Sequence, residues 1–537
     1  RAGGGAVDVV HEGLREAPAP LVEVVVGRRH HRDDLAGLGA QRDRATTLPD
    51  EQALRERLHP CIDRQVEFEA RLRVEVILAV FVAGDLHAMR VHEHELAPDA
   101  PAQQILEVRL EACDADLVAL PIALGALCLA WLVVSCRTLW RSLCPQLAHR
   151  DWLAGLVVVL TWPLIWAAAS GRETLLFTAL GVTVCNRYLK IGKQYSLSSI
   201  QNSEKLTEYR IPNTEYAILG FLLGLLILTR PDGVVLVLLV TIGLGLLGLQ
   251  RGMGQVALSL GIVLGTVVLT LIPYFAFNYL ASGTIWPNTL YAKQTEYAVL
   301  LETPIVLRAL QLGYFSFGGI PEGISGMSAA HLLLLPGGVL AGLVALRTDW
   351  QNKRLFLLLP LLWAGGHVVL YAWRLPVTYQ HGRYLLAAMP LWVLFGLAGW
   401  LIIFAQRDKL SERMARMIKM SLSLTFGLLF TFYTLLGAQA YASDVAFIEN
   451  EMVQVAHWLA DNTKPDALIA SHDIGAIGYF AKRPILDLAG LISPEIIPLL
   501  NDEAALTAYV LNSDAAYLVT APGWSYEQLV QRDNLTI

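Results

Sequence analysis

Charge is scarce in this sequence, and cysteine is scarcer. Only 16% of the 537 residues are Asp, Glu, Lys or Arg, against about a quarter in soluble domains. The 47 acidic residues slightly outnumber the 41 basic ones, and no basic stripe interleaved with aromatics occurs. Nucleic acid is therefore not an expected partner. Six cysteines are present, at 61, 113, 128, 136, 144 and 185. The region after Cys185 can hold no disulfide, and no CxxC pair marks a metal site.

Residues 1–115 lack still more. They contain no Ser, Lys, Asn, Tyr or Trp, yet carry seven of the thirteen His. Such a bias fits GC-rich DNA translated in a frame other than the gene's own, or a low-complexity, disordered extension. His87, His92 and His94 offer ring nitrogens, but HEH has no partner cluster and does not fit HExxH, so no metal site is assigned. The apolar run Val74–Ala83 is too short to cross a bilayer. The chain opens on Arg and stops without an evident end, which reads as a fragment.

What is there is apolar: 55% of the residues are hydrophobic and the mean hydropathy is +0.48. A helical span needs about 20 such residues. From Leu117 onward the runs recur, and about ten spans are expected, at 117–136, 152–169, 173–189, 216–229, 233–249, 255–280, 329–346, 355–373, 384–405 and 420–441. Gly and Pro within several of them are tolerated in membrane helices.

The loops between the runs alternate in charge. One set carries Arg137, Arg141 and Arg150, then Arg187 to Arg210, then Arg251, then Arg347, Lys353 and Arg354, then Arg407 to Lys419. The other set carries only Arg172, Arg230, Lys293, Arg308, Arg374 and Arg383. Basic residues concentrate on the cytoplasmic side, so the first set faces the cytoplasm. The expected organisation is mainly α: an atypical segment at 1–115, a polytopic membrane domain at 116–442, and a small extracytoplasmic α/β domain at 443–537. In that last domain, a helix near Phe447–Asn462 precedes strands at Ala467–Ser471, Pro484–Leu488 and Ala515–Thr520. Pro465 and Asp466 mark the first turn, and Asp473 is expected to cap free N–H groups.

Ionisable groups beside a span are costly enough to suggest a partner or a task. Four outer segments concentrate them. SGRET (Ser170–Thr174) holds Arg172 and Glu173. TRPDG (Thr229–Gly233) holds Arg230 and Asp232. WPNTLYAK (Trp286–Lys293) holds Asn288 and Lys293, and YQHGRY (Tyr379–Tyr384) holds His381 and Arg383. Each has an ordinary explanation, such as snorkelling or a Pro-Asp-Gly turn. Convergent Arg and Lys on one face suit a phosphate or diphosphate.

These motifs, in this order, resemble the bacterial GT-C fold membrane glycosyltransferases. The closest branch is similar to the mycobacterial terminal arabinofuranosyltransferases and their uncharacterised relatives. The C-terminal stretch PDALIASHDIGAIGYFAKRPILDLAGLISPE (Pro465–Glu495) resembles the periplasmic domain of those relatives. The resemblance implies a polyprenyl-phosphate sugar donor taken from the bilayer, and an extracytoplasmic glycan, lipid or protein acceptor. It also implies a carboxylate in the first outer loop that removes the acceptor's hydroxyl proton as that oxygen attacks the anomeric carbon. The lipid phosphate would leave as an anion helped by nearby cations.

In those terms Arg230, Lys293 and Arg383 would hold the donor phosphate. Glu173, Asp232, Asn288 and His381 would orient the sugar or the cations; His381 reads equally as structural. The loop that would carry the base precedes Leu117, where the atypical segment lies, so enzyme activity of this chain stays open. Asp114 and Asp116 are the nearest candidate carboxylates. No cofactor is assigned, and use of a divalent metal is undetermined. Two rival readings remain: a transporter or flippase of lipid-linked sugars, and a non-catalytic cell-envelope assembly protein. Against the first, no internal repeat is evident and the polar residues sit at the rim rather than mid-span.

Overall fold

The computed structural model describes residues 25–29, 102–200, 211–249, 252–283, 285, 288–316, 330–352, 355–405, 411–520, 526 and 535–536. The chain divides into two compact units. One comprises Thr46–Pro287 and Tyr297–Ser443; the other comprises Arg1–Ala45, Asn288–Glu296 and Asp444–Ile537.

The molecule is mainly helical. In chain order the helices are α1 (Ala102–Leu143), α2 (Asp151–Val159), α3 (Trp162–Ala169), α4 (Thr174–Ile200), α5 (Asn213–Thr229), α6 (Val234–Leu249), α7 (Met253–Ser282) and α8 (Asn288–Glu296). They continue as α9 (Ile305–Ser316), α10 (Ala330–Gln351), α11 (Leu359–Arg374), α12 (Met389–Ala405), α13 (Glu412–Phe447), α14 (Gln454–Asn462) and α15 (Glu503–Asn512). The strands are β1 (Val25–Arg29), β2 (Ile469–Ser471), β3 (Ile485–Asp487), β4 (Tyr517–Thr520) and β5 (Leu535–Thr536). The described part of segment 1–115 is thus β1 and the opening turns of α1. His87, His92 and His94 lie outside the described residues.

Among the described residues, five helices are long and apolar enough to cross a membrane: Leu120–Leu143, Pro231–Leu249, Met253–Leu280, Leu332–Gln351 and Glu412–Asn462. A sixth span results if α2 and α3, bent by 63° at Leu160–Thr161, count as one. The bend lies where Pro163 occupies the first turn of α3, because proline cannot continue a ladder of backbone bonds. α5 and most of α12 are apolar but shorter. The helical unit is that of a multi-pass membrane protein. Large apolar side chains on α7, such as Leu269, Ile272, Phe277 and Leu280, point away from the protein, a surface that water would penalise and lipid does not.

Inside the unit, Trp140, Phe177, Tyr188 and Trp363 are almost fully buried. α10 and α12 approach closely through glycines. A Cβ added at Gly399 would sit 1.8 Å from the Gly337 carbonyl oxygen, so only small residues let these backbones touch. Four basic side chains of the other loops are paired among the described residues: Asp151 bridges Arg137 and Arg141, and Glu215 bridges Arg187 and Lys190. The Asp349 carboxylate accepts three backbone N–H groups, of Phe356, Leu357 and Leu358, just before α11.

The second unit is built on a sheet of order β3-β2-β4-β1-β5. β2 runs parallel to both β3 and β4, with Ala470 opposite Leu486 and Leu518. β1 joins antiparallel to β4, Val26 opposite Val519. Alternating side chains reach opposite faces of a strand, and the two faces carry separate cores. Ile469 and Val519 pack with Ala456 and Leu459 of α14. Ala470 and Leu518 pack with Leu506 and Val510 of α15. Asp473 caps the turn after β2, its Oδ1 accepting the Gly475 N–H at 3.2 Å. α8 belongs to this unit: Ala292 is fully buried, and the Asn501 side-chain amide donates to the Thr295 carbonyl at 2.8 Å.

Candidate functional site

Two arginine clusters meet at one end of the helical unit. The first grows from TRPDG. A residue before proline is driven extended, and Arg230 has φ −155° and ψ 134°. The Pro231–Gly233 turn then folds back, with the Gly233 N–H donating to the Arg230 carbonyl at 3.1 Å. This brings Arg230 and Asp232 together in a buried position. Arg230 Nε donates to Asp232 Oδ2 at 3.0 Å, Nη1 to Glu173 Oε1 at 2.9 Å, and Nη2 to the Tyr371 hydroxyl at 2.5 Å. Tyr371 in turn donates to Asp232 Oδ2 at 2.7 Å. All sides of the guanidinium are occupied, which is what a buried charge requires.

The second cluster grows from YQHGRY. Gln380, His381 and Gly382 are all left-handed, with φ of 52°, 56° and 67°. Glycine takes this conformation without a Cβ clash. An ordinary residue loses roughly 1–2 kcal/mol in it, so two in a row mark a segment that its surroundings hold in place. The holds are visible. The Gly382 N–H donates to the Thr378 carbonyl at 2.9 Å, and the Arg383 N–H to the Gln380 carbonyl at 3.2 Å. The His381 ring lies edgewise to Trp162 and Trp166, with centroids 5.0 and 5.1 Å away.

This turn presents Gln380 and Arg383 towards SGRET. Gln380 Oε1 accepts from Arg172 Nη1 at 2.8 Å and from Arg383 Nη1 at 2.6 Å. Arg383 Nη2 donates to the hydroxyls of Tyr384 at 2.6 Å and Tyr379 at 3.1 Å. Arg172 also lies 5.7 Å over the Trp166 ring, a cation–π contact. Among the described residues no carboxylate bonds Arg172 or Arg383. Burial, and the facing Arg383 guanidinium, hold Arg172 below the usual arginine range.

Tyr384 joins the two clusters. Arg383 lies 4.6 Å from its ring centroid and Arg230 lies 5.3 Å from it. Three guanidiniums and two carboxylates leave one positive charge in excess, and that excess sits on the Arg172–Arg383 side. Two guanidiniums converging on one point with only neutral acceptors suit a phosphate oxygen. Among the described residues, no group of three or more His, Cys, Asp or Glu is placed to hold a metal ion.

Of the residues singled out in the sequence, Glu173, Arg230, Asp232, His381 and Arg383 lie in these two clusters. Asn288 and Lys293 lie on α8, in the other compact unit. There Lys293 Nζ donates to Glu296 Oε2 at 2.7 Å, and the His472 imidazole lies 3.8 Å from Glu296 Oε1. His472 Nδ1 is 2.9 Å from the Tyr526 hydroxyl. Asp114 and Asp116 fall on α1. Sequence reading counted Arg172 among the convergent cations but assigned the donor phosphate to Arg230, Lys293 and Arg383, and gave no individual role to Gln380, Tyr371 or Tyr384. Arg172, Gln380 and Tyr384 lay in quoted motifs; Tyr371 is joined to them only by folding.

Residues 439–535 match a family model described as a domain of unknown function (DUF8728). None of the curated proteins compared matches the chain. Among solved structures, the apo oligosaccharyltransferase of Archaeoglobus fulgidus is similar at 13% identity with a TM-score of 0.46, over 69% of this chain and 54% of that one. The same enzyme tethered to an acceptor peptide gives 13% and 0.41, over 69% and 53%. ArnT from Cupriavidus metallidurans gives 13% and 0.38, over 73% and 76%. The chain spans about half the length of the oligosaccharyltransferase it matches.

Proposed function

We propose that this chain is a GT-C-type membrane glycosyltransferase that takes a sugar from a polyprenyl-phosphate donor and passes it to an extracytoplasmic glycan, lipid or protein. The observation that carries the reading is the pair of guanidiniums, Arg172 and Arg383, converging on one neutral oxygen. A lipid-linked phosphodiester carries one negative charge, which matches the excess of one positive charge in the site. Arg383 and Arg172 hold the phosphate. Arg230, already neutralised by Glu173 and Asp232, fixes Tyr371 and Tyr384 and thereby the position of Arg383. His381 wedges the turn against Trp162 and Trp166, an orienting role. On this reading the Lys293–Glu296 pair serves the docking of α8, and Asn288 begins that helix.

The chemistry follows from the donor. The acceptor oxygen bonds to the anomeric carbon, the bond from that carbon to the phosphate oxygen breaks, and the phosphate leaves with the electron pair. Charge then grows on the phosphate, and fixed guanidiniums stabilise it most at that moment. The acceptor's proton needs a base. In the resembled family that base lies in the first outer loop, and Asp114 and Asp116 on α1 are the candidates here. The convergence of the arginines at one point favours transfer over a transport path, which would string its polar groups across the membrane.

The test is binding of a polyprenyl-monophosphate sugar to the full-length protein in lipid nanodiscs. Wild type should bind, and Arg172→Ala with Arg383→Ala should lose at least a hundredfold in affinity. Equal binding by the double variant would remove the reading.

A further inference from the structure

We infer that Gln380 is a displaceable plug that occupies the donor-phosphate position when no donor is bound, and so sets the affinity of the site. The inference rests on the donor reading above. An amide oxygen has two lone pairs, and both are used here: Arg172 Nη1 at 2.8 Å and Arg383 Nη1 at 2.6 Å. The two guanidiniums would otherwise repel across this gap. A neutral oxygen at their meeting point does what a phosphate oxygen would do, with none of its charge.

The backbone beneath Gln380 makes that position deliberate. Left-handed residues that are not glycine persist where the surroundings impose them, and they cluster at clamps and switches. Gln380 and His381 are two such residues in succession, followed by Gly382. A right-handed residue at 380 would aim its side chain elsewhere, so the strained turn is what delivers the amide oxygen to the arginines. His381 and its two tryptophans anchor the downstream half of the turn. The side chain of Gln380 is held by the two arginines alone among the interactions seen, so rotation of that side chain vacates the site without moving the anchored half.

An incoming phosphate carries full negative charge and makes charge-assisted bonds at both guanidiniums, stronger than those of a neutral amide. It therefore wins the exchange, but its measured affinity is reduced by the fraction of molecules in which the plug is seated. Replacing the plug alters donor affinity in opposite directions according to the charge left behind.

The experiment measures binding of a polyprenyl monophosphate to full-length protein in nanodiscs, for wild type, Gln380→Gly, Gln380→Glu and Arg172→Ala. Glycine keeps the left-handed backbone and removes the plug, and should tighten binding three- to tenfold. Glutamate puts a permanent anion between the arginines and should weaken binding at least tenfold while raising the thermal midpoint. A thermal midpoint for Gln380→Gly near that of wild type shows that the fold is intact. Weaker binding by a folded Gln380→Gly, or unchanged binding by Gln380→Glu, would overturn the plug while leaving the arginine site standing. Failure of wild type to bind, or unchanged binding by Arg172→Ala, would instead overturn the donor reading and the plug with it.

Discussion

Arg230 and Arg172 lie in one network yet should respond differently to mutation. Arg230 is buried, with both carboxylates and Tyr371 bonded to it. Removing it leaves Asp232 buried without its cation, a loss of about 3–5 kcal/mol by the measure of broken buried pairs. Arg230→Ala is therefore expected to lower the thermal midpoint steeply in detergent. Arg172 bonds a neutral amide at the rim, so Arg172→Ala should cost about 1 kcal/mol or less while losing the donor. A differential unfolding scan beside a binding isotherm separates the two outcomes. The same contrast explains what could be read beforehand. Arg230 and Asp232 stood out because charge interrupts an apolar run at a Pro-Gly turn. Arg172 did not gain its proposed role until Gln380, 208 positions away in the chain, was brought to it by a backbone conformation that no residue type announces.

Among the elements, the left-handed turn and α8 carry the testable claims. Gly382 has φ of 67°, and Gly382→Ala should cost roughly 1–2 kcal/mol and loosen Arg383, seen as a fall in thermal midpoint together with weaker donor binding. α8 is fixed to its unit partly through Glu296. Burial works against ionisation of Glu296, but the His472 and Lys293 contacts outweigh it and bring its carboxyl down to about 2. A carboxyl with a depressed folded value stabilises above its unfolded value, near 4.5, and loses that contribution as pH falls towards 2. Hydrogen exchange along 288–296 should therefore speed up through that window in wild type and stay nearly flat in Glu296→Gln. The helical elements themselves were legible, because an apolar run of about 20 residues has few other fates. The attachment of α8 was not. Ala292 is an unremarkable residue in a polar segment, and the surface that buries it, near Asn501, is about two hundred residues on.

For the molecule as a whole, the sequence predicts a mainly helical multi-pass protein, and the structure has that character. The number of spans was harder to read. Runs such as that of α5 look like spans in hydropathy but form helices shorter than the five that qualify. A short helix crosses by thinning the bilayer, by snorkelling of its flanking residues or by associating with its neighbours. The site belongs to this scale because no single element owns it. α3, the SGRET segment before α4, the TRPDG turn after α5, α11 and the turn at 379–382 each contribute one part, and the result is a cationic point at one end of the helical unit. A cationic point of this kind suits transfer of a sugar rather than its transport. The direct test follows a sugar-labelled polyprenyl phosphate in proteoliposomes containing the full-length chain and a crude extracytoplasmic acceptor fraction. Label is expected to leave the carrier, free polyprenyl phosphate to appear in equal amount, and Arg172→Ala with Arg383→Ala to abolish both. Intact labelled carrier recovered on the opposite leaflet, with no free polyprenyl phosphate, would contradict transfer.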